Sequence, residues 1–192
     1  MFRELSGATL QTGETIQEDT VMTTKITAGG LLPELDLPLA GGGDIHIGGE
    51  GGWRMVVVYR GLHCPKCKAY LTKLKDLASG FADINTDIIT VSGDPEEKAE
   101  AFKQDLGLDF PVAYGLTVEQ MKDWGLYVSN PRSPEETDRP FPEPGLFILR
   151  PDGTVQIADV SNAPFARPDL DNLLGGLTFI QTKDYPVRGT GG

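Results

Sequence analysis

The sequence predicts an α/β domain, a central sheet flanked by helices, and three observations lead there. Met55 to Tyr59 is an unbroken, Val-rich apolar run, as expected for a central strand covered on both faces. The next segment places Cys67, Tyr70, Leu71, Leu74, Leu77 and Ala78 along one helical stripe and leaves Lys66, Lys68, Lys73 and Lys75 largely to solvent. Strand and helix patterns then alternate, which implies a sheet built with right-handed crossovers.

Taken in order, the chain first offers Leu35-Asp36-Leu37 between Pro33 and Pro38, an edge-strand pattern. Gly41-Gly42-Gly43-Asp44 turns it toward Ile45-His46-Ile47, a hairpin partner in which His46 points to solvent. After the cysteine helix, Thr86 to Val91 reads as a strand. A helix from Pro95 to Asp105 follows, with Asp94 as N-cap and Glu96 and Glu97 in its first turn. Phe110 to Tyr114 is a short strand and Val118 to Trp124 a short helix.

Val128 to Pro144 is the least regular stretch. Its five prolines exclude a helix and most ladder pairing. A segment this long is either functional or a surface insertion, and both a flap beside the cysteines and a bland loop remain open. Gly145 to Arg150 and Thr154 to Val160 then form a hairpin around Pro151-Asp152-Gly153. Pro168 to Ile180 is the last helix, apolar at Leu170, Leu173, Leu174 and Leu177.

Composition sets the bounds. The 192 residues fit one domain with a real core. Residues 30–180 form that domain, between a flexible extension over 1–29 and a tail over 181–192. Met22 is a possible natural start. A net charge of 17 − 28 = −11 argues against nucleic acid or an anionic membrane surface as partner. No apolar run approaches the roughly 20 residues of a membrane span, and the first 21 residues hold no signal-like apolar segment. The cytoplasm is the expected compartment, where a disulfide is transient and catalytic.

Cys64 and Cys67 are the only cysteines, and their spacing decides their chemistry. Pro65 suits the first helical position, because its missing N–H would be unpaired there anyway. Side chains three apart at a helix start are neighbours, so a disulfide is feasible. The helix terminus favours a thiolate at Cys64, and Arg60, Lys66 and Lys68 add positive charge nearby. Cys64 is expected outermost and lower in pKa, Cys67 more buried. A structural zinc needs four ligands, and only His46 and His63 are left to supply them.

The ordered set Tyr59-Arg60-Gly61-x-x-Cys64-Pro65-x-Cys67, Val91-Ser92-Gly93-Asp94-Pro95 and Pro144-Gly145-Leu146-Phe147-Ile148 resembles the thioredoxin superfamily. More closely, it resembles its peroxiredoxin-like branch, the alkyl hydroperoxide reductase/thiol-specific antioxidant family. The resemblance covers Gly30 to Ile180. It implies a thioredoxin-like fold with a central mixed sheet and an N-terminal hairpin of the peroxiredoxin type.

Cys67 falls on the family's peroxide-attacking cysteine and Cys64 on its Thr or Ser. Arg60 replaces the motif's proline, and Pro144 replaces the peroxide-orienting arginine. A first cysteine and a proline facing the disulfide through a cis bond are thioredoxin features, so a cis Glu143–Pro144 bond is expected. The buried acid of thioredoxins would fall on Val58, leaving proton transfer at Cys67 to water or another group.

The resemblance implies an oxidoreductase that cycles a Cys64–Cys67 dithiol, with Arg60, His63, Pro65, Lys66 and Pro144 in support. His63 is read as a solvent-facing turn residue that tunes the thiols. No cofactor is expected. The partners are a thiol donor of thioredoxin or glutathione type and a disulfide or hydroperoxide substrate, and a homodimer is open. The alternatives are a thiol peroxidase attacking through Cys67 with Cys64 resolving, and a copper or zinc carrier using His63, Cys64 and Cys67.

Overall fold

The computed structural model describes residues 26–191, so the expectations for the leader through Lys25, including a start at Met22, lie outside the described residues. β1 (Leu35–Pro38) and β2 (Asp44–Ile47) form the expected antiparallel hairpin, with Leu37 opposite Ile45. His46 is exposed and bonds Asp36 at 2.8 Å.

The main sheet has β3 (Trp53–Val58) at its centre. β4 (Thr86–Val91) and then β5 (Val112–Ala113) lie parallel on one side of it. On the other side, β8 (Gly145–Leu149) and β9 (Val155–Val160) follow in antiparallel pairing. The sheet is therefore mixed. The crossovers are α1 (Pro65–Asp83) between β3 and β4, and α2 (Glu96–Leu106) between β4 and β5. α3 (Val118–Asp123) and α4 (Leu170–Lys183) complete the helices among the described residues.

Residues 55–59 are fully buried because each face of β3 is covered. Met55, Val57 and Tyr59 meet Leu71 and Leu74 of α1, Phe102 of α2 and Leu173 of α4. Val56 and Val58 meet Ile47 of the hairpin together with Met121 and Trp124. Full burial of such a side chain is worth about 1.5–3 kcal/mol, so this strand anchors both layers.

α3 begins at Val118 as the sequence reading expects, and the proline-rich stretch departs from that reading. α3 is opened by a capping box, Thr117 accepting from the Gln120 N–H while Gln120 reaches back to the Thr117 N–H. The proline-rich stretch does hold a short ladder: β6 (Val128–Ser129) pairs antiparallel with β7 (Phe141–Pro142), and Pro142 lies opposite Val128. A two-residue pair leaves proline room where no N–H is required.

Candidate active site

Beyond β3 the chain passes through Tyr59, whose N–H donates to Val91 O at 2.9 Å and whose ring stacks on Phe102 at 4.5 Å. It then turns at Gly61, where φ is +133°. A Cβ there would meet the Asp94 carboxylate at 2.7 Å. That carboxylate accepts the Leu62 N–H at 2.7 Å. Asp94 is therefore not the N-cap expected for α2; Pro95 takes that position without a side-chain bond. The loop N–H needs a buried acceptor, and Asp94 supplies it. Burial pushes the Asp94 carboxyl pKa up, against the opposing pull of that hydrogen bond.

Cys64 is the N-cap of α1 and Pro65 its first helical residue. The Cys64 sulfur accepts the Cys67 N–H at 3.2 Å. The two cysteines are joined as a disulfide with their Cα atoms 5.3 Å apart. Cys64 is 1 % exposed and Cys67 0 %, so the expectation of an outermost Cys64 is corrected. The turn folds inward, and both residues enter the apolar cluster that holds Tyr59, Leu71 and Leu146.

The cations expected to act on the thiols are differently engaged. Arg60 faces Glu143 at 3.3 Å and Glu136 at 3.6 Å, and lies 4.6 Å over the Phe141 ring. His63 is not solvent-facing. It is half-buried 4.7 Å from Phe141, with neither ring nitrogen hydrogen-bonded. Burial first, and Arg60 second, hold its pKa below 6.5. Lys66 is exposed, 5.9 Å from the Phe165 ring, and Lys68 bonds Asp105 at 3.2 Å. Glu136, Phe141 and Glu143 all belong to the proline-rich stretch, so that segment lies beside the cysteine turn, as the flap reading requires.

Pro144 is buried at the entry to β8, and Gly145 pairs with Val58 at the end of β3 that leads to the cysteines. No cis peptide bond occurs among the described residues, so the expectation at Glu143–Pro144 is corrected. The link from β7 to β8 stays in the ordinary trans form, with the Glu143 N–H donating to Tyr127 O and Pro144 O accepting from Ser161.

One residue at the site escaped the sequence reading. Arg167 donates to the Cys67 sulfur at 3.4 Å from the segment preceding α4. Its guanidinium lies 4.7 Å over the Tyr70 ring, and the Tyr70 hydroxyl donates to Pro168 O at 3.0 Å. A lone arginine 100 positions from its target leaves no periodic signal. Its nearest sequence cue is only that it stands just before a helix that packs on α1.

A groove of about 420 Å³ runs beside it, lined by Lys66, Tyr70, Lys73, Phe165, Arg167 and Asp169 among others. Among the described residues no three His, Cys, Asp or Glu side chains converge on a possible metal. Nor is any described helix long and apolar enough to cross a membrane.

This geometry has relatives. A Mycobacterium tuberculosis protein provisionally named a peroxiredoxin is 28% identical over 106 residues, 55% of this chain and 68% of that one. A peroxiredoxin-like protein from Aquifex aeolicus superposes with a TM-score of 0.69 at 16% identity, over 81% of this chain and 88% of that one. AhpC of Mycobacterium tuberculosis superposes with a TM-score of 0.69 at 18% identity, over 85% and 97%. These two likenesses establish the thioredoxin-type fold of the peroxiredoxins. The family model described as "AhpC/TSA family" matches residues 29–158, well over half the sequence. The chain belongs to the AhpC/TSA family, and it is a peroxiredoxin-like thiol oxidoreductase whose two cysteines are spaced as a CxxC pair.

Proposed function

We propose that the protein is a dithiol–disulfide oxidoreductase in which Cys64 attacks a substrate disulfide and Cys67 resolves the mixed disulfide. One observation carries this reading: the two sulfurs are bonded at a helix start, with the Cys64 sulfur accepting the Cys67 N–H. Backbone N–H groups and the helix macrodipole stabilise a thiolate there, and the thiolate is the attacking species. Pro65 fixes the first turn, and Lys66 adds exposed positive charge beside Cys64. Arg60, His63 and Pro144 shape the turn and its flap. The electron donor is a thiol of thioredoxin or glutathione type, and the working compartment is one that keeps thiols reduced, the cytoplasm.

Single serine variants test the assignment. Cys64→Ser should abolish disulfide reduction, and Cys67→Ser should trap a mixed disulfide on Cys64, read as an added mass that a reductant removes. The second reading, a peroxidase attacking through Cys67, is favoured by the Arg167 contact with that sulfur. It expects the inverse: Cys64→Ser keeps a fast reaction with hydroperoxide and forms a sulfenic acid on Cys67, while Cys67→Ser loses both.

A further inference from the structure

We propose that the protein binds a free α-amino acid with an apolar side chain, in a pocket at the end of the sheet away from the cysteines. The site is separate from the dithiol. Arg54, its central group, stands at the start of β3, and the cysteine turn follows the other end of that strand.

The pocket holds about 390 Å³ and wraps the edge of β4 below β5. Sites for small molecules run from roughly 300 to 1,000 Å³ and are mostly apolar, with a few placed polar groups. The apolar walls here are Ala78 and Ala82 of α1, Ile88 and Ile89 of β4, and Phe110. The polar groups are of three kinds: a guanidinium, a pair of carboxylates and a backbone carbonyl.

Arg54 is 9% exposed, and no carboxylate among the described residues pairs with it. Its Nη2 donates to Gly49 O at 2.6 Å, and its Nε is buried without a partner. A guanidinium has five N–H donors, so most of this fork is unused. A buried charge left in that state is costly, and a carboxylate supplied from outside relieves it.

Asp87 is the neighbour of Arg54 across the parallel ladder, so both side chains rise on the hairpin face of the sheet. The guanidinium nevertheless turns to Gly49 O, and no ion pair joins the two. Asp87 stays exposed, and Asp109, also exposed, joins it at the pocket. Opposite charges held side by side but apart suit a ligand that carries both. His46 is not the missing cation, because its ring nitrogens already face Asp36 at 2.8 Å and Glu34 at 3.2 Å.

The carbonyl lies at the strand edge. The Thr90 N–H donates to Pro111 O at 3.0 Å and the Ser92 N–H to Ala113 O at 3.2 Å, so alternate residues of β4 turn their backbone toward β5. Ile88 is next in that series. With Thr90 opposite Val112, the residue set to donate to the Ile88 carbonyl is Pro111, which has no N–H. An acceptor is therefore left open at the pocket beside Asp87.

A zwitterionic α-amino acid meets all three. Its carboxylate goes to Arg54, its ammonium to Asp87 and the Ile88 carbonyl, and its side chain passes over the edge between α1 and Phe110. A plain acid would set its charge against Asp87 and Asp109, and a plain amine would leave Arg54 unanswered. An extended peptide finds little to pair with, because the open edge runs only from Thr86 to Ile88.

The test is calorimetric titration of the full chain with L-phenylalanine, with hydrocinnamate, which lacks the ammonium, and with phenethylamine, which lacks the carboxylate. L-phenylalanine should bind with a dissociation constant below about 1 mM, and each analogue at least about tenfold more weakly. Asp87→Asn should weaken L-phenylalanine about fivefold and leave hydrocinnamate no weaker. Arg54→Gln should weaken L-phenylalanine and hydrocinnamate alike and leave phenethylamine unchanged. Methyl NMR shifts at Ala82 and Ile88 should saturate along with the L-phenylalanine titration, which places the ligand over the strand edge.

Absence of saturable L-phenylalanine binding would overturn the proposal, and so would hydrocinnamate binding as tightly as the amino acid. A short extended peptide that binds where the amino acid does not would overturn it in favour of strand addition. If Arg54→Gln does not fold, the Asp87→Asn comparison decides alone, since that side chain is exposed and unpaired.

Discussion

Around the turn before Cys64 and around Cys67, the protein places a guanidinium in two contrasting settings. Arg60 sits between Glu136 and Glu143, whose side chains are only 9% and 6% exposed, so its charge is answered by carboxylates from the flap. Arg167 has a sulfur and an aromatic ring but no carboxylate partner among the described residues. Arg60 is four residues from Cys64 in sequence, yet it ties down a loop. Arg167 is a hundred residues from Cys67, yet it touches the sulfur. Closeness along the chain therefore says little about which cation a thiol feels, because the field of a charge depends on what else compensates it.

The contrast can be broken by moving one charge at a time. The largest expected effect is Arg60→Gln, which leaves the buried Glu143 carboxylate without its cation, while Glu136 keeps Arg132, and should cost about 3 kcal/mol in denaturant unfolding, with little change in the dithiol equilibrium. Equal shifts in redox equilibrium for Arg60→Gln and Arg167→Gln would erase the distinction. Next comes Gly61→Ala, which combines an unfavourable positive φ with a collision at Asp94. A loss of about 2 kcal/mol is expected, with slower reaction of both cysteines; an unchanged melting temperature would count against the Asp94–Leu62 anchor.

A third test sharpens the flap side. The Glu136 carboxyl is held at about 2, first by its hydrogen bonds with Arg132 and then by neighbouring charge that includes Arg60. Its folded value lies below the unfolded one, so its contribution is present above pH 4.5 and lost as pH falls toward 2. Acid should loosen the flap in that window, visible as loss of protection for the Glu143 N–H bonded to Tyr127 O. A flap insensitive to that titration would detach Glu136 from its closure.

The smallest effect is at His63, whose folded pKa is depressed below 6.5. Its contribution to stability is present above pH 6.5 and declines as pH falls through the folded value. His63→Phe should flatten that part of the stability profile. A His63 pKa above 6.5 by NMR would contradict the burial that sets it.

Much of the frame was legible because periodicity reports local burial. The run at residues 55–59 announced a two-faced central strand, and Pro65 announced a helix start. Asp94 was misread because an acid before Pro95 looks like a cap, and only the fold brings the Leu62 N–H to it. The exposure of Cys64 was misjudged for a related reason. Helix position gives direction along the axis but not what the flap and turn lay over it. Arg167 left no cue, since its partner is set by how α4 approaches α1.

The Cys67 amide makes the helix itself sensitive to the thiol state. Its N–H is shared between the Cys64 carbonyl at 3.1 Å and the Cys64 sulfur at 3.2 Å, and the sulfur is a weak acceptor while bonded to Cys67 and a far stronger one as a free anion. Electrons arriving at the pair therefore strengthen the sulfur's share of this bond, and their removal weakens it. The exchange rate of this single backbone proton with deuterium becomes an internal gauge of oxidation. It would slow when the protein is charged with electrons and quicken when it has passed them on.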